Sequence, residues 1–301
     1  MGTTSPMTTT RLRWRRTGTG EPLVVLHGIG TTSADFDVLT PRLAAAFEVL
    51  SVDLPGHGDS PALTETPSVP ALADALEADL DALGLDRVHL LGNSLGARLA
   101  LELAARHRAL SVVATSPSGM GVPLERTYQG ALMALARVGL RAARPVIKPL
   151  AGRRAGRGLL LAGLRARPRR ASRTEALAVE GGFAEAEGFW RTLWWAVLKD
   201  VPTGMDRIDC PVILAQGTRD LLSGGQTFRY LGIVPGARFQ PLLRAGHAPH
   251  SDTPDEIISL VLEASRRAVT GREDAREATQ EDNREDNREG RLHSASAPQA
   301  S

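Results

Sequence analysis

The sequence predicts an α/β fold: a mostly parallel central sheet with helices on both faces and an inserted helical cap. Three observations carry this. Short apolar runs alternate with helical patterns through residues 23–114 and again from residue 211, the order expected when strands lie parallel and helices cross between them. From Ser116 to about Met205 that rhythm breaks, and the pattern is helical and Arg-rich with no convincing strand. The chain has 301 residues, enough for one large domain with an insertion.

Residues 1–10 are polar and expected to be disordered. Arg11 to Arg16 alternate with Leu12 and Trp14, the period of a half-buried strand. Gly18-Thr19-Gly20 then turns the chain. Leu23-Val24-Val25-Leu26 is continuously apolar, as a strand buried on both faces must be, and it ends at His27-Gly28-Ile29-Gly30. A helix is expected over 35–46 and a strand from Phe47 to Val52, ending at Asp53. Leu72, Leu76, Leu80 and Leu83 recur at helical spacing and predict a helix over 71–83. Arg87 to Leu91 is the next strand. Gly92-Asn93-Ser94-Leu95-Gly96 follows and opens a helix to about His107, and Leu110 to Ala114 is a further strand.

After the helical stretch, Pro211 to Ala215 is a strand ending at Gly217-Thr218-Arg219-Asp220. A helix over 225–233 and a strand from Ala237 to Leu243 lead to His247, and 254–268 form a final amphipathic helix. The expected division is a core of 11–116 and 206–269, a cap of 117–205 over the carboxyl edge of the sheet, and a disordered tail of 270–301. That tail repeats Glu-Asp-Asn-Arg at 281–288 and has too little apolar surface to offset chain ordering.

Composition narrows the setting. Hydrophobic content of 42% and charged content of 23% are ordinary for a globular chain. Cys210 is the only cysteine, so no internal disulfide can form, which fits a reducing compartment. The first twenty residues lack the apolar core of a secretory signal, and no apolar run approaches the ~18 residues of a membrane span. A cytoplasmic protein is expected. Net charge is only +2, yet every charged residue between Arg126 and Arg173 is basic. A solvated face is the expectation there, with attraction of an anionic substrate or lipid surface as its alternative. Aromatic residues do not interleave with the arginines, which disfavours nucleic acid. No cofactor motif is present, and the histidines and carboxylates lack metal-ligand spacing.

The chemistry is carried by Gly92-Asn93-Ser94-Leu95-Gly96, which matches G-x-S-x-G between a strand and a helix. A sharp strand-to-helix turn holds the serine in a strained conformation, and the glycines two before and two after let neighbouring backbones approach. Ser94 is the expected nucleophile. A tetrahedral oxyanion needs two fixed N–H donors, and those of Leu95 and Ile29 are the candidates. Asp220 and His247 each follow a strand, in the order serine, acid, histidine. A carboxylate at 220 can fix the imidazole tautomer and stabilise the imidazolium.

Asp206 and Asp209 precede their strand and so lie at the wrong end of the sheet. Asp252 and Asp255 follow His247 and fail on order. His250 is expected to pack towards the final helix. The loop from Asp53 to Ser60 holds Asp, His and Ser together, but its expected role is to shape the pocket floor and brace the turn at Ile29.

From about Arg11 to Val269 the sequence resembles the capped α/β-hydrolase fold superfamily. The resemblance runs through His27-Gly28, Asp53 to Ser60, Gly92 to Gly96, Gly217 to Asp220 and Gly246-His247. It implies Ser94 as nucleophile, Asp220 and His247 as its partners, and Ile29 and Leu95 as oxyanion donors. One departure is visible: there is room for one strand before Leu23, where the superfamily usually has a hairpin, so the first strand is either missing or made of residues 6–10. A serine nucleophile excludes the dehalogenase and epoxide hydrolase branches, whose carboxylate forms an ester that water can cleave. Serine attack on an sp³ carbon would leave an ether.

Ser94 therefore points to an acyl-enzyme. Hydrolysis of a small carboxylic ester, neutral or anionic, is the first expectation. Gly92-Asn93-Ser94 also resembles the elbow of hydrolases that cleave carbon–carbon bonds in anionic ring-fission products. Lactone hydrolysis, cofactor-free haloperoxidase activity and a ligand receptor with little turnover are further alternatives. In the cap, Leu132, Leu135, Ala136 and Leu140 suggest one amphipathic helix, and Phe189, Trp190, Leu193, Trp194 and Val197 another. Both are expected to pack cap on core, with an aromatic-lined acyl pocket as the alternative.

Overall fold

The edge of the sheet is Trp14–Thr17 (β1), anchored from outside itself. The N–H groups of Arg11 and Leu12 donate to the two carboxylate oxygens of buried Asp79 at 2.8 and 2.9 Å, and Trp14 Nε1 donates to the same group at 2.7 Å. Arg11 and Leu12 are thus spent on Asp79, and Arg13 N–H on Ser60 Oγ at 2.8 Å, and the strand begins at Trp14, not at Arg11. Replacing Asp79 by alanine strands two backbone donors and an indole N–H. A loss of about 3 kcal/mol of folding stability is expected, from roughly 1–3 kcal/mol per buried unsatisfied group, read as a lowered urea midpoint.

The described residues of this computed structural model are 11–271 and 273. The segment expected to be disordered at 1–10 lies outside them, as does all of the expected tail except 270, 271 and 273.

Glu21–Leu26 (β2) follows β1. The helix expected over 35–46 does not form as one element. A 3-10 turn spans Ser33–Phe36 and a single α turn spans Thr40–Leu43 (α1). Pro41 has no N–H to donate to the carbonyl of residue 37, so the ladder cannot run through, and the helix restarts with Pro41 in its first turn. Phe47–Val52 (β3), Val69–Ala82 (α2), Val88–Asn93 (β4), Leu95–Ala105 (α3) and Ala109–Thr115 (β5) come next. Five helices then intervene: Pro123–Ala142 (α4), Arg144–Gly152 (α5), Arg154–Leu160 (α6), Arg173–Glu185 (α7) and Phe189–Leu198 (α8). Val212–Gly217 (β6), Gln226–Leu231 (α9), Arg238–Leu242 (β7), Pro249–Asp252 (α10) and a helix over 254–271 (α11) complete the chain.

The strands form one sheet in the order β1-β3-β2-β4-β5-β6-β7. Only the β1–β3 pair is antiparallel. Among the described residues a single strand precedes β2; residues 6–10, the alternative first strand, lie outside them. Alternate residues of each central strand face opposite layers. Val24, Leu26, Leu90 and Val112 pack with Leu72, Leu76, Leu99 and Leu103 of α2 and α3. Leu23, Val25, Leu91 and Val113 pack with Phe36, Leu39, Ile257 and Val261 on the other face. Both faces are therefore covered, which is why these strands read as unbroken apolar runs.

β2 lies between β3 and β4, so the chain leaves β2 in one direction and later returns to pair on its other side. At such a reversal the loops beyond the carboxyl ends of two neighbouring strands part and leave a crevice. The turn after β2 and the turn after β4 meet there.

The insert between β5 and β6 is fastened where it leaves and rejoins the core. Arg126 on α4 donates to the carbonyls of Gly119 (3.0 Å), Gly121 (2.7 Å) and Asp200 (2.7 Å). Beside it, Arg98 of α3 faces Asp200 at 3.6 Å, both side chains buried, and Tyr230 donates to the Ser118 carbonyl at 2.6 Å. Within the insert, buried Arg137 of α4 donates to the carbonyls of Phe183 and of Ala186 (2.9 Å), closing the end of α7, and its guanidinium lies 4.6 Å from the ring centre of Phe189. The expectation that Leu135 and Trp194 pack cap on core is corrected: they are 71% and 52% exposed. Met133, Arg137 and Leu140 take the inner positions of α4, which turns Leu135 outwards. No helix among the described residues is long and apolar enough to cross a membrane.

Candidate active site

Ser94 sits between β4 and α3 with φ 55° and ψ −113°, a region that side-chain-bearing residues rarely enter. The glycines around it are demanded by contact. A Cβ on Gly92 would lie 2.3 Å from the Gly96 carbonyl oxygen, and one on Gly96 would lie 2.0 Å from that of Leu26. Ser94 N–H donates to the Thr115 carbonyl at 2.9 Å, which ties the turn to β5. Leu95 is the first residue of α3, so its N–H has no acceptor within the helix.

The second predicted donor, Ile29, is aimed by its neighbours. Leu54 N–H donates to His27 Nε2 at 2.9 Å, so the ring proton is on Nδ1, which donates to the Gly28 carbonyl at 2.8 Å. Thr31 adds its N–H (3.3 Å) and Oγ1 (3.1 Å) to the same oxygen. With the Gly28 carbonyl held on one side, the trans peptide turns the Ile29 N–H to the other. Burial favours the neutral form of His27 and lowers its pKa, against the opposing pull of the Gly28 hydrogen bond and Asp53. Asp53 accepts from Ser33 N–H (2.8 Å) and Asp59 N–H (3.1 Å). The Asp53–Ser60 loop thus braces the turn. It lines neither cavity beside Ser94, so the pocket floor expected of it is made elsewhere.

Asp220 and His247 meet where the loops after β6 and β7 cross. Gly217 permits this, since a Cβ there would lie 2.3 Å from the Gly246 carbonyl oxygen. His247 Nδ1 is 3.1 Å from Asp220 Oδ2 and 3.2 Å from Oδ1. The carboxylate accepts four further hydrogen bonds: from Leu222 N–H (2.8 Å), Ser223 N–H (3.1 Å), Ser223 Oγ (2.7 Å) and Ser116 Oγ (2.7 Å). Burial alone would raise the Asp220 carboxyl. The charge and hydrogen bond of His247, with the two serine hydroxyls, outweigh burial and hold it well below the usual carboxylate range. An ionised Asp220 keeps the neutral imidazole protonated on Nδ1, which leaves Nε2 a free acceptor.

Sequence reasoning missed Ser116, Ser223 and Asp252 as supports of this arrangement. Asp252, set aside as the acid, accepts from Gly246 N–H (2.9 Å) and, across the insert, from Ala166 N–H (2.7 Å) and Arg167 N–H (3.3 Å). It joins the His247 loop to the insert. His250 packs on Phe36, ring centres 4.7 Å apart, with Nε2 3.7 Å from Asp35. Asp209 pairs with Arg87 at 2.9 Å, before β6.

Ser94, Ile29 and His247 line two cavities. The larger, about 360 Å³, is walled by apolar side chains including Leu132, Met133, Leu140, Leu161, Val179 and Phe183. The smaller, about 50 Å³, is also mainly apolar, with Met133, Leu193 and Val197 in its wall beside Ser116, Arg126 and Gln226. Among the described residues no group of three His, Cys, Asp or Glu gathers to hold a metal ion.

Residues 23–260 match the profile of the Alpha/beta hydrolase family. The chain belongs to that family. A pimeloyl-[acyl-carrier protein] methyl ester esterase of Chromobacterium violaceum is 28% identical over 82% of this chain and 94% of its own. The dihydrolipoyllysine-residue acetyltransferase component of the acetoin cleaving system of Pseudomonas putida is 34% identical over 42% of this chain. The chain spans 35% of that relative's length, and 38% and 42% of two further curated relatives. Among solved structures, the enol-lactonase of Burkholderia xenovorans superposes with a TM-score of 0.68 at 22% identity, covering 84% of this chain and 95% of its own. The 2-hydroxy-6-oxo-6-phenylhexa-2,4-dienoate hydrolase of a Rhodococcus strain gives 0.67 at 20% identity, covering 86% and 100%. At these identities the structures share the fold.

Proposed function

We propose that this hydrolase cleaves a carboxylic ester through an acyl-enzyme, with Ser94 as nucleophile, His247 as base and Asp220 as the group that orients the base. The observation that carries the reading is an Asp220-bound imidazole, His247, that lines the same two cavities as a serine on a strained strand-to-helix turn. His247 Nε2 takes the Ser94 Oγ proton as Oγ attacks the ester carbonyl. The N–H groups of Ile29 and Leu95 receive the negative charge on the carbonyl oxygen. The imidazolium returns the proton to the departing alkoxide, and the alcohol leaves. Water then gives a proton to His247, attacks the acyl carbon and releases the acid, and Ser94 regains its proton. Asp220, held ionised, steadies the imidazolium without taking its proton.

The helical insert acts as a cap over this site, which divides by size into a larger and a smaller cavity. The larger, apolar cavity suits the acyl chain. The smaller holds about three to five water-sized groups, at roughly 10–15 Å³ each. That is room for a small alcohol, and too little for the carboxylated fragment that leaves in ring-fission chemistry. Volume therefore favours an ester of a small alcohol over the carbon–carbon reading, in keeping with the methyl ester esterase among the relatives.

The test joins an active-site label to a substrate series. A fluorophosphonate should add once, on the peptide carrying Ser94, and p-nitrophenyl esters from acetate to decanoate should be hydrolysed best at intermediate acyl length. Folded protein that neither takes the label nor turns over any member of the series would remove the ester reading.

A further inference from the structure

The outer side of α4 is apolar from end to end. At 100° per residue, positions 124, 128, 131, 135, 138 and 142 fall within about 40° of one line along the helix. They are Leu124, Tyr128, Ala131, Leu135, Val138 and Ala142, and all six are exposed. Leu124 is 80% exposed, Tyr128 50% and Val138 56%. The stripe is about 27 Å long at 1.5 Å per residue. The opposite side of α4 already meets the rest of the insert and the core, so the stripe is not a spare packing face of the domain. The sequence outside the described residues is poor in large apolar side chains: residues 274–301 hold one, Leu292, and residues 1–10 hold Met1 and Met7.

We propose that this face docks on an anionic lipid surface. Charge decides between occupants. Every charged residue from Arg126 to Arg173 is basic. Arg141, Lys148, Arg153 and Arg154 are exposed on α4, α5 and α6 or at their junctions. A second copy of the chain would bring the same charges face to face. An apolar helix face flanked by Arg and Lys lies in the headgroup boundary with its apolar side chains in the acyl region and its cations on phosphates. Tyr128 and Trp194, half-exposed on the packed pair α4 and α8, are the residue types that favour that boundary.

The stripe is also continuous with the larger cavity. Tyr128 belongs to both, Leu132 lines the cavity from the adjoining side of α4, and Leu221, 72% exposed, lines it as well. An apolar substrate could pass from the lipid to Ser94 without crossing water. Docking does not depend on the ester reading, and its test reads binding directly.

Full-length protein is sedimented with phosphatidylcholine vesicles, with and without phosphatidylglycerol at about a third of the lipid. The wild type, L135D/V138D and R141Q/K148Q/R153Q/R154Q are compared, with thermal midpoints as the check of folding. The expected result is binding to the phosphatidylglycerol vesicles, weakened at least tenfold in each variant, with hydrolysis of a soluble short-chain ester unchanged. Three results would overturn the proposal: no binding of wild type at low salt; L135D/V138D binding as well as wild type, which leaves charge alone; or a wild-type dimer that L135D/V138D dissociates, which gives the face to a second copy. An inactive but vesicle-bound wild type would sink the ester reading and leave docking standing.

Discussion

Ser94→Ala is expected to lower kcat for a p-nitrophenyl ester by about 10³-fold or more, with KM little changed. Removing the nucleophile of such a unit leaves only the oxyanion donors and binding, and the loss falls on kcat because the missing bond forms after the substrate is bound. The backbone adds a second readout. At φ 55° an alanine keeps the strain that the serine bears, whereas a glycine relieves it. Ser94→Gly should be as inactive as Ser94→Ala and more stable by about 1 kcal/mol. Steady-state kinetics and urea melts of the two variants side by side check both parts. Activity within tenfold of wild type in either variant would remove Ser94 from the chemistry.

Asp220→Asn should cost about 10⁴-fold in kcat while the loop geometry survives. An amide presents an NH₂ where the carboxylate accepted the hydroxyls of Ser116 and Ser223 and the His247 ring, so donors face donors. The imidazole is then free to carry its proton on Nε2, where it cannot act as base. The variant should also respond differently to acid. The folded-state pKa of Asp220 is depressed, so the group contributes stability above its unfolded value of ~3.9, and that contribution is lost as pH falls through the folded value. Below about pH 4 the wild type should therefore lose stability more steeply than Asp220→Asn, which has no proton to take up there. Thermal midpoints measured from pH 6 down to pH 2 check the sign. Parallel curves would mean that the carboxylate is not held as the geometry implies.

Much of this was legible because it is local. Gly92 and Gly96 bracket Ser94 within five residues, and each of Asp220 and His247 follows its own apolar strand. The supports of the site were not legible, because they exist only in three dimensions. Ser116 reaches Asp220 across 104 residues, and Asp252 reaches Ala166 across 86. Nothing in the local sequence sets such a serine or aspartate apart from a turn residue. The helix expected over 35–46 failed for a reason that was in view, the missing N–H of Pro41. Leu135 failed for a subtler one. Period alone finds an apolar face on α4, but this helix has one on each side, and only the packed structure says which of them is buried.

The fastening of the insert bears on how molecules reach Ser94. One guanidinium, Arg126, grips the strand of chain going out and the strand coming back, with the buried Arg98–Asp200 pair beneath it. A roof nailed down at both crossings does not swing as a flap without breaking those bonds together. The larger cavity is lined instead by two exposed side chains, Tyr128 and Leu221, that are free of those bonds. Such side chains turn in picoseconds to nanoseconds, far faster than a domain hinges.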